Sequence, residues 1–352
     1  MFKLNMSTQQ FNYNNLMKNI ESFKNKQYVL LGESTHGTEE FYLLRLIITQ
    51  ILVEKYNYNT VLFETEWSIG YQLNLFIHSQ IEGNIKTILN NVSQSYPKWM
   101  INNEYIMKLL LFLKQWNLTH KKKVYFYGVD CQDIDLAYQN VCDDKTMNCF
   151  IIKKLIINYK KMNQSGNYWN DRDTFWKYII DQIKNERDSK FILWAHNSHI
   201  GNCKADPKND HKINIGYLLD RTYQSFKIGF SSYEGNVKAS KKWNGPGRKY
   251  KLLKAHKDSY EYLFHKICEE QNTNSLIYIS DSKLKMNKLF RYVGVVYDTK
   301  NEMSSHYSVT DINKEFNILI FVDVTNYLKQ STKLKNIKAM KMSSLKKIIE
   351  NI

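Results

Sequence analysis

A mixed α/β domain, with a mostly parallel central sheet and helices on both of its faces, is the fold the sequence predicts. Two observations lead there. Short apolar runs rich in β-branched and aromatic residues recur along the chain, and from about residue 28 to about 230 longer amphipathic stretches alternate with them.

The strands are read in order from these runs. Tyr28–Leu31, Thr60–Phe63, Val124–Tyr127 and Phe191–Trp194 are apolar without alternation, as strands covered on both faces must be. Phe226–Phe230, Ser275–Ile279, Tyr292–Val296 and Asn317–Val322 are the later candidates. Between the first two, Glu39–Tyr56 places apolar residues at 41, 44, 48 and 52, a helical stripe; Tyr105–Trp116 and Phe150–Met162 have the same character. No internal repeat and no clear linker divide the chain. The expected organisation is an N-terminal helix over 1–24, one α/β domain over 25–330 with a helical lobe at 69–118 inserted in it, and a basic tail over 331–352.

Composition narrows the function classes. Hydrophobic residues are 43%, enough for a sizeable core and too many for a disordered chain. Lys and Arg outnumber Asp and Glu by 50 to 34, but Lys, Asn, Ile and Tyr are all abundant, a bias that AT-rich codons impose whatever the function, so no nucleic-acid partner is expected. Five cysteines without a CxxC pair argue against a disulfide framework and a thiolate zinc site. No stretch reaches 18 apolar residues and the first fifteen lack a signal-type core, so a cytoplasmic protein without a membrane span is expected. Asn236–Lys257 carries eight Lys or Arg, no acid and Gly245-Pro246-Gly247 at its centre, which reads as a long mobile basic loop. The tail from Ser331 reads as a solvated basic helix.

Chemistry gathers after the first four strands. They run into Gly32-Glu33-Ser34-Thr35-His36-Gly37, Glu64-Thr65-Glu66, Gly128-Val129-Asp130 and Ala195-His196-Asn197-Ser198-His199. Open parallel sheets bind ligands outside the carboxyl ends of their strands, so these acids and histidines are expected to share one edge. Carboxylates leaving buried strands must be paired or functional, and Arg45, on the helix that follows, is placed to neutralise them.

These residues carry a resemblance. Gly32 to Gly37 with Glu40 and Arg45, then Phe63-Glu64, Tyr127 to Gln132 and Trp194 to Ile200, resemble in order the motifs of the erythromycin esterase family. Glu234-Gly235, Trp243 to Pro246, Ser259 to Glu261, Arg291, Ser305 to Tyr307 and Phe316 to Asp323 continue it. The resemblance implies a hydrolase that opens an ester or macrolactone, with a role in macrolide resistance, acting on a small-molecule substrate and using no cofactor. It makes His36 the general base that activates water, with Glu33 or Glu64 orienting it. Arg45 and one of His196 or His199 would stabilise the oxyanion or leaving group. Asp130, Glu40, Asn197, Trp243 and His306 would contact substrate. Two alternatives stay open: a metal-dependent hydrolase using the same acids and histidines as ligands, and a non-catalytic protein binding an anionic partner through its basic segments.

Overall fold

A computed structural model describes residues 6–91, 97–142, 144–208, 211–281, 285–329 and 339–352. Its strands are β1 (Thr8–Gln10), β2 (Tyr28–Leu31), β3 (Thr60–Glu66), β4 (Tyr125–Asp130), β5 (Phe191–Trp194), β6 (Phe226–Ala239), β7 (Arg248–Leu252), β8 (Ser275–Ile279), β9 (Lys288–Arg291), β10 (Tyr307–Thr310) and β11 (Ile318–Thr325). Nine of them form one sheet of order β1-β8-β11-β6-β2-β5-β3-β4, with β7 added on β6; β9 and β10 form a separate antiparallel pair. The six strands from β11 to β4 are mutually parallel, and β8 and β1 extend the sheet antiparallel. The mixed α/β architecture read from the sequence is thus the one observed.

Successive residues of a strand point to opposite faces, and each face has its own core. Val29 and Leu31 of β2 pack with Phe41, Ile48 and Leu109 of the helices Glu39–Tyr56 and Glu104–Thr119. Tyr28 and Leu30 pack on the other face with Trp176, Ile179 and Phe264, from Tyr168–Glu186 and Tyr260–Gln271. Helix Glu39–Tyr56 starts with two glutamates, which suits the positive end of its dipole, and stops where Asn57 turns left-handed at φ 61°. Four helices (Trp67–Ile77, Ile85–Asn91, Lys98–Ile101 and Glu104–Thr119) stand between β3 and β4. Among the described residues no helix is long and apolar enough to cross a membrane.

Several expectations require correction. The basic segment 236–257 is a hairpin: β6 runs on to Ala239 and β7 returns against it, with Val237 facing Tyr250 in the register. Its apolar positions Val237, Ala239 and Leu252 bury against Val293 and Tyr297, a small third core that the lysines between them obscure in the sequence. The strand expected at 292–296 lies earlier, at β9; Val293 and Val296 form only isolated bridges. The amino-terminal segment supplies an edge strand as well as its helix, Tyr13–Phe23. Cys142 and Cys149 form a disulfide across the start of helix Met147–Ser165, a local pairing that an odd cysteine count does not exclude; Cys131, Cys203 and Cys268 are free. In the tail, residues 331–338 lie outside the described residues. Helix Met342–Ile349 is not wholly solvated: Leu345 and Ile349 are buried in the main core, and Gln50 donates to the carbonyl of Met340.

Candidate active site

Because β2, β3, β4 and β5 are parallel neighbours, the residues that end them converge on one edge of the sheet. The turn Gly32–Gly37 can lie this close only because it lacks side chains at its ends. A Cβ on Gly32 would overlap Asn197 Oδ1, and one on Gly37 would overlap the carbonyl of Lys238.

His36 is held from behind. Its Nδ1 lies 2.9 Å from Glu33 Oε1, and the other oxygen of Glu33 accepts from Arg45 Nη2 at 2.6 Å. Arg45 is fully buried on its helix, its guanidinium 4.5 Å from the ring centre of Tyr42 and 4.8 Å from that of Trp194. With Nδ1 held by Glu33, Nε2 is the ring nitrogen available for chemistry, and His36 lines a cavity of about 500 Å³ whose wall also includes Glu64, His196 and His199. Burial opposes charging of this imidazole. The charge of Glu64 and the hydrogen bond and charge of Glu33 outweigh burial and the opposing Arg45, so His36 sits above its ordinary range.

A second network lies beside the first. Arg172, in helix Tyr168–Glu186, grips both oxygens of Asp130 through Nε (2.9 Å) and Nη2 (2.6 Å). Its Nη2 also reaches Glu64 Oε1 at 3.3 Å, and Nη1 lies 3.1 Å from His199 Nε2. A guanidinium only donates, so His199 Nε2 accepts here and the 3.5 Å approach of that atom to Glu64 is no hydrogen bond. The proton of His199 is therefore on Nδ1, which donates to Asp173 Oδ2 at 2.8 Å, and the ring lies between Trp169 and Trp176. Burial resists ionisation of Glu64, but His199, His36, Arg172 and His196 bring its carboxyl down to about 2. Its Oε2 accepts the backbone N–H of His196 at 2.8 Å.

His196 faces His36, ring centres 4.8 Å apart. Its Nδ1 accepts from Ser198 Oγ at 2.8 Å, which leaves the proton on Nε2, 3.2 Å from the carbonyl of Ser34. Burial, then the neighbouring His36, lowers it to about 3, so this ring is a neutral donor.

His36, Glu64, His196, His199, Trp243 and His306 all line the cavity. Trp243, 45% exposed, stands at the tip of the basic hairpin. His306 is held by the N–H of Asp298 on Nε2 and by the carbonyl of Tyr292 on Nδ1. Glu33, Arg45, Asp130, Asn197 and Glu40 are not on the wall. Arg45, expected at the oxyanion, pairs with Glu33 behind His36. Asp130, Asn197 and Glu40, expected to contact substrate, have other partners here. Asp130 is committed to Arg172, Asn197 donates to the carbonyl of Phe230, and Glu40 accepts from Asn326.

Sequence reading missed Arg172, Asp173 and Trp169. The signal was present: Arg172, Phe175, Trp176, Ile179 and Ile183 lie on one helical stripe, so an arginine stands on an apolar face and demands a buried acid. Glu315 and Tyr292, also on the cavity wall, carry no comparable mark.

Fold and site together define an α/β protein with a histidine-and-carboxylate cavity at the carboxyl edge of its sheet. The sequence model of the family described as erythromycin esterase matches residues 53–146 and 143–325, a span that takes in Glu64, Asp130, His196 and His199, and the chain belongs to that family. It is 29% identical over 130 residues to an Escherichia coli protein described as erythromycin esterase type II; the match covers 37% of this chain and 29% of that relative's length. Three solved structures share the fold. A Bacillus cereus protein superposes with TM-score 0.73 at 18% identity, covering 91% of this chain and 94% of its own. A succinoglycan biosynthesis protein gives 0.71 at 17%, covering 89% and 92%. An erythromycin esterase mutant in its open conformation gives 0.66 at 13%, covering 92% and 99%.

Proposed function

We propose that the protein hydrolyses a carboxylic ester or lactone by direct attack of water, with His36 as general base. The observation that carries this reading is the arrangement of His36 on the cavity wall: Nδ1 is fixed on Glu33 and Glu33 on Arg45, so Nε2 is the ring nitrogen not held by that pair. Water at Nε2 would lose a proton to the imidazole as it bonds to the acyl carbon, and the resulting imidazolium, stabilised by Glu33 and Glu64, would return that proton to the departing alkoxide. His199 has both ring nitrogens engaged, and Arg45 is off the wall. The Nε2–H of His196, on a ring whose centre lies 4.8 Å from that of His36, would serve the oxyanion by giving up its 3.2 Å contact with the carbonyl of Ser34. Ser34 is not on the cavity wall, which favours water over an acyl-enzyme. Macrolides are one candidate substrate group, in keeping with the family, and a resistance role and cytoplasmic location are part of the same reading. A screen of aryl esters, simple lactones and macrolides, with a His36 variant as control, tests it. Turnover of none of them, or equal turnover by the variant, would discard it.

The base must be neutral to act, so kcat/KM falls as pH drops through the raised pKa of His36, and the acid limb lies above the ordinary imidazole value of about 6.5. Glu64 is the largest charge holding that value up. Glu64→Gln leaves Arg172 its two bonds to Asp130 and is expected to move the limb to lower pH in a pH–rate profile. An unmoved limb would mean that another group titrates.

Turnover is expected to survive exhaustive chelation. Glu33, Asp130 and His199 have their ligand atoms committed to Arg45, Arg172 and Asp173, with His36 on Glu33. Among the described residues the three-ligand group within metal-binding reach is Cys142, Asp144 and Cys149, elsewhere in the chain and with its cysteines joined. Loss of rate with EDTA, restored by zinc or manganese, would favour the metal-dependent alternative.

A further inference from the structure

Beyond the hydrolytic groups, the cavity wall holds a carboxylate without a counter-charge. Glu315 ends the short helix Ile312–Glu315, is 5% exposed and lines the same cavity as His36. Tyr292 Oη donates to its two oxygens at 2.7 and 2.8 Å, and Thr310 Oγ1 donates to Oε2 at 3.0 Å. The buried acids around it are treated differently: Glu33 has Arg45, Glu64 and Asp130 share Arg172, and Asp173 has His199. Among the described residues no Lys, Arg or His pairs with Glu315. Lys227, whose charge it feels, is tied to Asp220. A buried carboxylate left without a cation is costly, and the cost is relieved when a ligand brings one.

We propose that Glu315 selects a cationic substrate, one bearing an ammonium group that sits between this carboxylate and the aromatic wall of Tyr292 and Trp243. That wall suits the charge, because aromatic faces attract ammonium groups; Trp169 is already taken, with His199 stacked on it and Lys212 Nζ 5.5 Å from its ring centre. The inference rests on the hydrolytic reading for the reacting end of the same ligand. Burial pushes the Glu315 carboxyl up to about 7, with Tyr292, Thr310 and Lys227 opposing and Asp206 adding. A bound cation favours the ionised form, so affinity rises as pH climbs through that value.

The test is calorimetric binding of a non-hydrolysable alkyl trimethylammonium ether and its uncharged tert-butyl isostere to the full chain. The ammonium group does not titrate, so any pH dependence belongs to the protein. The expected preference for the charged probe is about tenfold larger near pH 8 than near pH 5.5, as an acid of this pKa ionises. Glu315→Gln removes that gain. His36, raised above its ordinary range, repels the cation when protonated; the Gln variant keeps that component, so only the difference is assigned to Glu315. Tyr292→Phe takes away a donor to the carboxylate and moves the midpoint to higher pH while the preference at the alkaline end remains. Circular dichroism confirms that each variant is folded. Equal binding of the two probes by the native chain near pH 8, or an undiminished preference in Glu315→Gln, overturns the inference. Charge-selective binding without turnover of any ester upholds it and discards the hydrolytic reading instead.

Discussion

Replacing His36 with Ala or Gln is expected to lower ester turnover by ~10²–10⁴, the usual worth of a general base, while the fold stays intact. The fold survives because the ion pair behind the histidine does not depend on it. Glu33 keeps its 2.6 Å bond to Arg45, and Arg45 keeps its place beside Tyr42 and Trp194, so no buried charge is orphaned. Circular dichroism and a rate assay on the ester found by screening decide the matter together. A folded variant retaining activity within about tenfold of the native protein would remove His36 from the base role.

Arg172→Met is expected to have the larger effect on stability, a loss of about 3–5 kcal/mol, because it leaves buried carboxylates without their cation. Asp130 has both oxygens on this guanidinium and is fully buried; Glu64 would lose one partner and His199 the donor on Nε2. The pH dependence follows from the sign of the Asp130 shift. Burial raises its pKa, but the charge and hydrogen bonds of Arg172 depress it below the ordinary aspartate value. The stabilisation from this pair is therefore present above the unfolded pKa and lost as pH falls through the folded one. In the variant the orphaned Asp130 takes up a proton more readily, so the deficit against the native chain shrinks in acid. Urea denaturation near pH 7 and in mild acid measures both effects. A deficit under about 1 kcal/mol at neutral pH would show that Arg172 is not the keystone of this network. Arg172→Lys should recover only part of the loss, since an ammonium cannot make the paired contact with Asp130.

Arg172 also shows why part of the site escapes a linear reading. Its bonds to Asp130 and Glu64 join residues 42 and 108 positions apart, and no local spacing encodes such a pairing. The hairpin of β6 and β7 escaped for a different reason. Its alternation of Val237 and Ala239 against Tyr250 and Leu252 is only a few residues long and is interleaved with lysines, so charge masked the period. Glu315 gave no warning at all: a glutamate in Asn313-Lys314-Glu315 looks like ordinary surface until the chain folds Tyr292 and Thr310 over it.

What the sequence by itself determined is whatever is written in contiguous residues. Apolar runs without alternation specify strands buried on both faces, β2, β3 and β5 among them, because only a covered parallel sheet tolerates such runs. The same runs place His36, Glu64 and His196 at one edge, because parallel strands all end on the same side. Only the tertiary structure decided which of these polar groups meets the cavity and which stands behind it. Arg45 and Asp130 could each have touched a ligand; burial against Glu33 and Arg172 makes them supports instead. The physical reason is that a charge taken out of water must find its partner wherever the packed chain puts one, and that partner is chosen by three-dimensional proximity, not by neighbourhood in sequence.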